Sequence, residues 1–516
     1  MPYVPLKIPP GVFRNGTKYQ AKGRWYVANL VRWTEGAMQA IGGWTQVQDS
    51  SDTALDLTDA IRGVMGWRIN TGAPHMALGT YNKAYAFAGG VLTDITPAGF
   101  TAGLEDATAS VGLYDKGAYD AGLYSKGAGG GGGGTITEAQ NWHFDSFGQL
   151  PIALAYSDGK IYDWDLNVVN NLVVVHAGAP TGCKGMVVTP ERFIVGLGGT
   201  DYNAVSAADG RRVTWCDQEN SGDWNPAMVG GQAGDFILPG NGALMCGARN
   251  RNETLLWTDM DLFAMRYIGG VLVYSFVQVG VNCGIISRRA HAEADGRAFW
   301  MGTRGFYMYD GFAKPLPCEI QDEIFPNLTE AQASKVAAWT VSESNEVWFA
   351  YPSGGSVENN KIVTYNYMEN HWSGPWDLER TAGMDRGVYD SPVMCDGGGD
   401  VYFHEYGDNM LDTDANSNVA LVPYAESGPF ELAAGDNLMT VNRYIPDETT
   451  YGDCALVLYA GMYPTDAVED EQTGITIGEI TDTRLTGRQI RLKITETVKG
   501  WRFGIPRLEV IKRGRR

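Results

Sequence analysis

Hydrophobic positions along this chain fall in short runs rather than long stripes. From about residue 60 to about 410, a short apolar or aromatic run meets a Gly or Asp turn and a second run follows, recurring roughly every 40 to 60 residues. Lys83, Tyr85 and Phe87 lead to Gly89-Gly90 and then Val91-Leu92-Thr93. Ile152, Leu154 and Tyr156 lead to Asp158-Gly159 and Lys160 to Trp164. The pattern continues with Phe193 to Val195 and Val213 to Trp215, then Leu255 to Trp257 and Leu262 to Met265. It continues again with Phe299 to Met301 and Phe306 to Tyr309, then Val347 to Tyr351 and Ile362 to Tyr365, and ends with Val401 to Phe403 before Gly407. Short runs of this composition around Gly and Asp turns predict antiparallel hairpins.

Hairpins at blade-length spacing predict an all-β protein built on a β-propeller of about seven blades, with six to eight compatible with the spacing. Each small sheet is apolar on both faces and can bury them only against its neighbours, so a closed ring leaves no terminal sheet exposed. Helix is scarce. The best candidate follows Pro326, where Thr329 and Gln332 read as a capping box ahead of an Ala-rich stretch to Ala338.

Two segments break the rhythm. The string GLYDKG at 112–117 returns as GLYSKG at 122–127, and six glycines follow at 129–134. Consecutive glycines pay the largest conformational entropy, so 112–134 predicts a Gly-rich inserted loop rather than a blade. No helix pattern with a Lys-Ser/Thr pair follows it, which argues against a phosphate-binding loop. From residue 421 the runs lengthen and alternate. Gln489, Arg491 and Lys493 are polar with Ile490, Leu492 and Ile494 between them, as in a sheet with one wet face. These strands predict a C-terminal β-sandwich-like domain over 421–516. The expected division is an N-terminal arm over 1–58 with strands that complete the propeller, a propeller over 59–420, and the sandwich.

Composition agrees with β structure. Gly makes up 67 of 516 residues, nearly twice the usual share of about 7%. There are 15 Trp and 26 Tyr. The net charge of −20 disfavours tight binding to nucleic acid phosphates but suits a wall past which DNA must move freely. The one dense basic run is Lys512, Arg513, Arg515 and Arg516. Seven widely spaced Cys form no C-x-x-C pair, which predicts free thiols. The uncharged stretch 267–286 contains Gly269-Gly270 and many Val and Tyr residues, so it predicts two strands around a turn, not a membrane span.

There is no G-x-S-x-G, H-E-x-x-H or P-loop string, and the six His show no i, i+4 pair. Asp412, Asp414, Asn416 and Asn418 alternate as in calcium loops, but Ser417 stands where such loops need Gly and no Glu closes the motif. Asp158-Gly159 reads as a hairpin turn. No catalytic, cofactor-binding or metal residue is assigned, no cofactor is expected, and the chain reads as a non-enzyme.

Several strings spread over the chain carry a resemblance. They are PPGVFRNGT at 9–17, GRW at 23–25, NLVRW at 29–33, IGGW at 41–44, ALGT at 77–80, KAY at 83–85 and DITP at 94–97. Further on stand VTWCD at 213–217, DW at 223–224, YAESGP at 424–429 and WRFGIPRL at 501–508. Together they resemble the tail nozzle, or packaged-DNA stabilisation, protein of short-tailed bacteriophages. The resemblance implies a virion protein made and assembled in the host cytoplasm. It implies a homo-oligomeric ring, typically a hexamer, below the portal and adaptor, with fibres, spike or needle attached. That ring would extend the DNA channel, help retain the genome and pass it at ejection. Two other readings stay open: a glycan-binding or glycan-hydrolysing propeller, and a platform for host proteins.

Overall fold

The computed structural model describes residues 3–109, 136–270, 272–407, 411–412, 419–420, 422–431, 437–463, 470–495 and 500–514. The Gly-rich segment 112–134 and most of the 412–418 stretch lie outside the described residues. The protein is all-β, and its larger part is a propeller of seven four-stranded antiparallel sheets. Six blades are continuous in sequence, at 64–94, 142–174, 185–237, 244–280, 291–316 and 337–377. The seventh combines Ala382–Met384, Val393–Cys395 and Val401–His404 with the N-terminal strand Trp44–Gln46. Gln46 pairs with Tyr402 and Trp44 with His404, so an early strand closes the ring.

The burial pattern explains why the hairpins were legible. The second strand of each blade is buried along nearly its whole length, as in Glu346–Tyr351 and Ile194–Leu197. Fourth strands are the more exposed ones, as in Val91–Asp94 and Gly234–Ile237. First strands crowd the axis, where the ring is narrowest, and at single positions beside large side chains only glycine fits. A Cβ on Gly383 would lie 2.5 Å from a Trp339 ring carbon, and one on Gly63 would lie 2.8 Å from the Trp142 Cβ.

The sandwich lies beside the sixth blade and is built from both ends of the chain. One sheet orders Tyr3–Pro5, Arg507–Lys512, Met439–Ile445 and Thr481–Gly487. The other orders Trp25–Asn29, Tyr424–Ser427, Gln489–Thr495, Ala455–Gly461 and Asp470–Thr476. The first two strands of the N-terminal arm thus belong to the sandwich, while a later strand of that arm belongs to the propeller. The outer strand His371–Asp377 of the sixth blade is buried, unlike most other outer strands, because the arm runs over it. Val12 N–H donates to the Trp372 carbonyl at 2.8 Å, and Ser373 Oγ donates to the Val31 carbonyl at 2.8 Å. Trp25, Trp33, Phe306, Trp372 and Leu492 share one continuous core across the two parts. Each such side chain contributes on the order of 1.5–3 kcal/mol of burial.

The helix expected after Pro326 does not form there. The α-helix runs Gln321–Asn327 and contains Pro326; Glu330–Lys335 is a 3-10 turn and Ala337–Val341 is a strand. The Thr329 side chain makes no cap hydrogen bond, and the Gln332 amide is engaged elsewhere. By contrast, the uncharged stretch at 267–286 forms the paired strands Leu262–Gly269 and Val273–Gly280, as expected. Among the described residues no helix is long and apolar enough to cross a membrane.

Candidate functional site

The propeller axis encloses a cavity of about 390 Å³ to which all seven first strands contribute. A strand sends alternate side chains to opposite faces, and the fifth blade uses this directly. Arg289, His291 and Glu293 line the cavity, while Ala290 and Ala294 between and beyond them are buried in the wall. The second blade adds His143 and Asp145, and the seventh adds Asp385.

At one end the axis faces a stem. The chain between the first and second blades crosses the ring as a short ribbon, Thr108–Ala109 paired with Ile136–Thr137. Gln332 grips this stem from both sides, its Oε1 accepting from Ala107 N–H at 3.0 Å and its Nε2 donating to the Ala107 carbonyl at 3.1 Å. Arg288 holds Glu138 through Nε at 3.1 Å and Nη2 at 3.3 Å, and donates to the Lys184 and Met245 carbonyls. Lys335 bonds Asp106 and Glu358, and Arg62 bonds Glu358 and the Glu105 carbonyl. Most of these partners precede or flank first strands around the ring, and Glu358 lies in the loop between the second and third strands of the sixth blade, so the stem lies across one end of the axis as a floor.

The charges are sorted along the axis. Near the floor lie Arg288 and Arg289. Further along the strands lie Glu293, Asp145 and Asp385. Asp145 is ion-paired with Arg249 and accepts the Val188 and Ser146 amides. Burial raises its pKa, and Glu293 adds to the effect. Burial works against the charged imidazole of His291, but the Cys246 sulfur and the Glu293 carboxylate, 2.8 Å from Nδ1, outweigh it and raise its pKa. His143 moves the other way. Burial first, then the positive Arg288, His291 and Arg289, push it down to about 3, so its imidazole is neutral near pH 7. Its Nε2 is buried without a partner. Arg289 is lowered to about 10 by burial and by Arg62. Its one hydrogen bond runs from Nη2 to the Thr381 carbonyl at 2.9 Å, and no described carboxylate is within ion-pair distance.

None of these residues was singled out from the sequence. The one local signal was the alternation of Arg289, His291 and Glu293 with alanines, which marks a strand with a polar face but not what faces it. The structure also places Asp158 as a turn residue: its Oδ1 accepts from Lys160 N–H at 3.1 Å, as the hairpin reading expects. Among the described residues no His, Cys, Asp and Glu cluster could hold a metal ion.

A second cavity, of about 520 Å³, lies between the sandwich and the last two blades. Arg32 of the arm lines it and is almost fully buried. Its Nη2 bonds Glu405 Oε1 at 2.7 Å and lies 3.1 Å from Glu346 Oε2. This triad ties the arm to two blades.

Sequence comparison finds no matching protein family and no matching curated protein. Among solved structures, a catalytically inactive virginiamycin B lyase from Staphylococcus aureus with quinupristin is similar at a TM-score of 0.36 and 9% identity, over 70% of this chain and 97% of the other. The BBS1N chain in complex with ARL6DN gives 0.38 and 10%, over 71% and 98%. The Pan2 WD40 domain of Neurospora crassa gives 0.36 and 9%, over 70% and 94%. Similarity this distant carries no functional argument, and the architecture rests on the strand pairing itself.

Proposed function

We propose that the chain is a structural tail component of a short-tailed phage, a nozzle subunit that works as one member of a ring. The observation that carries this reading is a lateral apolar surface. Val173, Val174, Phe236, Ile237 and Val277 are exposed on the outer strands of three successive blades. Exposed apolar side chains grouped in this way suit a protein interface, and a subunit in a closed ring needs such a face toward its neighbour. The stem floor refines the reading. A duplex does not thread the propeller axis, so the DNA passage is enclosed by the assembled copies, whose net charge of −20 each keeps phosphates mobile. Portal and adaptor proteins above, and fibres, spike or needle below, are the partners that this reading implies.

The test is electron microscopy and light scattering of the purified chain, alone and with the neighbouring tail proteins. Rings, with hexamers expected, that dissociate when Phe236→Asp and Val173→Asp are combined support the reading. A monomer under all these conditions overturns it.

A glycan-hydrolysing propeller is favoured by one observation: Asp145 and Glu293 face the same cavity, and Glu293 contributes to the raised pKa of Asp145. Paired carboxylates are what glycoside hydrolysis requires. Turnover of a glycan panel, abolished by Glu293→Gln, would establish that alternative. The ion pairs Asp145–Arg249 and Glu293–His291 argue for a structural role.

A further inference from the structure

The axial cavity ends on an arginine with unused capacity. A guanidinium carries five N–H donors, and Arg289 spends one of them, on the Thr381 carbonyl. Every other arginine or histidine of this cavity has an acidic partner or is neutral. Arg288 is matched by Glu138, and His291 by Glu293. His143 is neutral and leaves Nε2 unpartnered. The His143 Nε2 is buried without an acceptor, which is costly, and the half-buried Arg289 brings a charge without a counter-charge to the same cavity. Both are relieved by one object: an anion that accepts from Arg289 and from His143.

The shape of the site narrows the chemistry. A guanidinium fork matches two oxygens of one oxyanion. The volume of about 390 Å³ admits a small molecule and excludes a nucleic acid strand or a peptide domain. The carboxylates Asp145, Glu293 and Asp385, which line the same cavity, disfavour a ligand that is anionic along its whole length. We propose that the propeller axis is a binding site for one small oxyanion of the phosphate class, held by Arg289 and His143 above the floor formed by the stem. Such an ion would cross-brace the fifth, second and seventh blades, joining Arg289 and His143 directly and the Thr381 carbonyl through Arg289.

Isothermal titration at constant ionic strength tests this, with inorganic phosphate, sulfate and glycerol 3-phosphate as separate probes and chloride as the reference. One saturable site per chain is expected for at least one probe. Tighter binding of the inorganic ions would assign a free ion, and tighter binding of the ester a small phosphomonoester. Arg289→Gln should weaken binding about 10- to 100-fold, as expected for loss of charged hydrogen bonds, and His143→Phe should weaken it less. Absence of saturable binding for all three probes overturns the proposal, as does unchanged affinity in Arg289→Gln. Should Arg289→Gln fail to fold, unchanged affinity in both Arg289→Lys and His143→Phe is equally decisive. Ring assembly is a separate readout, so failure here leaves the tail reading standing.

Discussion

Replacing Arg32 with Ala should unlatch the N-terminal arm from the propeller. Arg32 sits between Glu405 at 2.7 Å and Glu346 at 3.1 Å, and its side chain and that of Glu346 are almost fully buried. Removing one member of a buried ion pair costs about 3–5 kcal/mol, because it strands the remaining charge. Here the carboxylates keep some donors: Ser344 Oγ and Trp348 Nε1 bond Glu346, and Gly42 N–H bonds Glu405. We therefore expect the low end, about 3 kcal/mol, which is roughly a hundredfold in an opening equilibrium. Hydrogen exchange of the arm reads this directly. Ile41 N–H bonds the Leu30 carbonyl and Val47 N–H bonds the Val401 carbonyl, and both amides should lose about two decades of protection at pH 7.

The pH dependence has a defined sign. Burial already raises the pKa of Glu346, with Arg32 the main opposing influence. Without Arg32 it rises further. Between the unfolded and folded values the folded state then holds a proton that the unfolded state does not, so stability falls as pH rises through that window. The defect should be smaller at pH 5 than at pH 7. A loss under tenfold, or a larger loss at pH 5, would refute the reasoning.

Three further outcomes are expected. Gly383→Ala places a Cβ 2.5 Å from the Trp339 ring, and overpacking of this kind should cost about 1–3 kcal/mol, seen as a melting temperature lower by about 1–3 °C; an unchanged value would mean that the axis is looser than this contact implies. Deleting 112–134 leaves Ser110, Val111 and Thr135 to join the paired residues Ala109 and Ile136, a common hairpin length, so the propeller should still fold while ring assembly weakens; loss of soluble protein would place the segment in the core. The seven Cys are all free and buried, and burial raises Cys183 and Cys216 to about 12, so native protein should resist iodoacetamide until it is unfolded; rapid native labelling would contradict this.

The repeating hairpins were legible because the middle strands of a blade are buried on both faces. Their sequence must be apolar whatever surrounds them, and their turns need residues tolerant of positive φ, such as Gly89, Gly159 and Asn345. Five of the hairpins read from the sequence correspond to second and third strands of the blades, as in Leu150–Ala155 with Ile161–Asp163 and Glu346–Tyr351 with Lys361–Asn366, whereas the run from Lys83 to Thr93 falls on the third and fourth strands of the first blade. First strands hid because they answer to the axis. Ala337 and Ala338 read as helix formers, yet they lie in a first strand, paired with Ala350 and Phe349 of the second. Gln332 read as a helix cap, yet its amide holds the stem at Ala107, a partner more than 200 positions away.

The sequence by itself determined the all-β class, the repeating hairpin unit and the alternating C-terminal strands, because these follow from local periodicity and turn chemistry. Only the tertiary structure decided where the arm goes. Tyr3–Pro5 and Trp25–Asn29 are too short to carry a periodic signal, and their places are set by partners at 507–509 and 424–427. It likewise decided the axial site. Arg289, His143 and the floor beneath them come from separate blades and from the stem, and no local pattern encodes which side chains a closed ring will bring face to face.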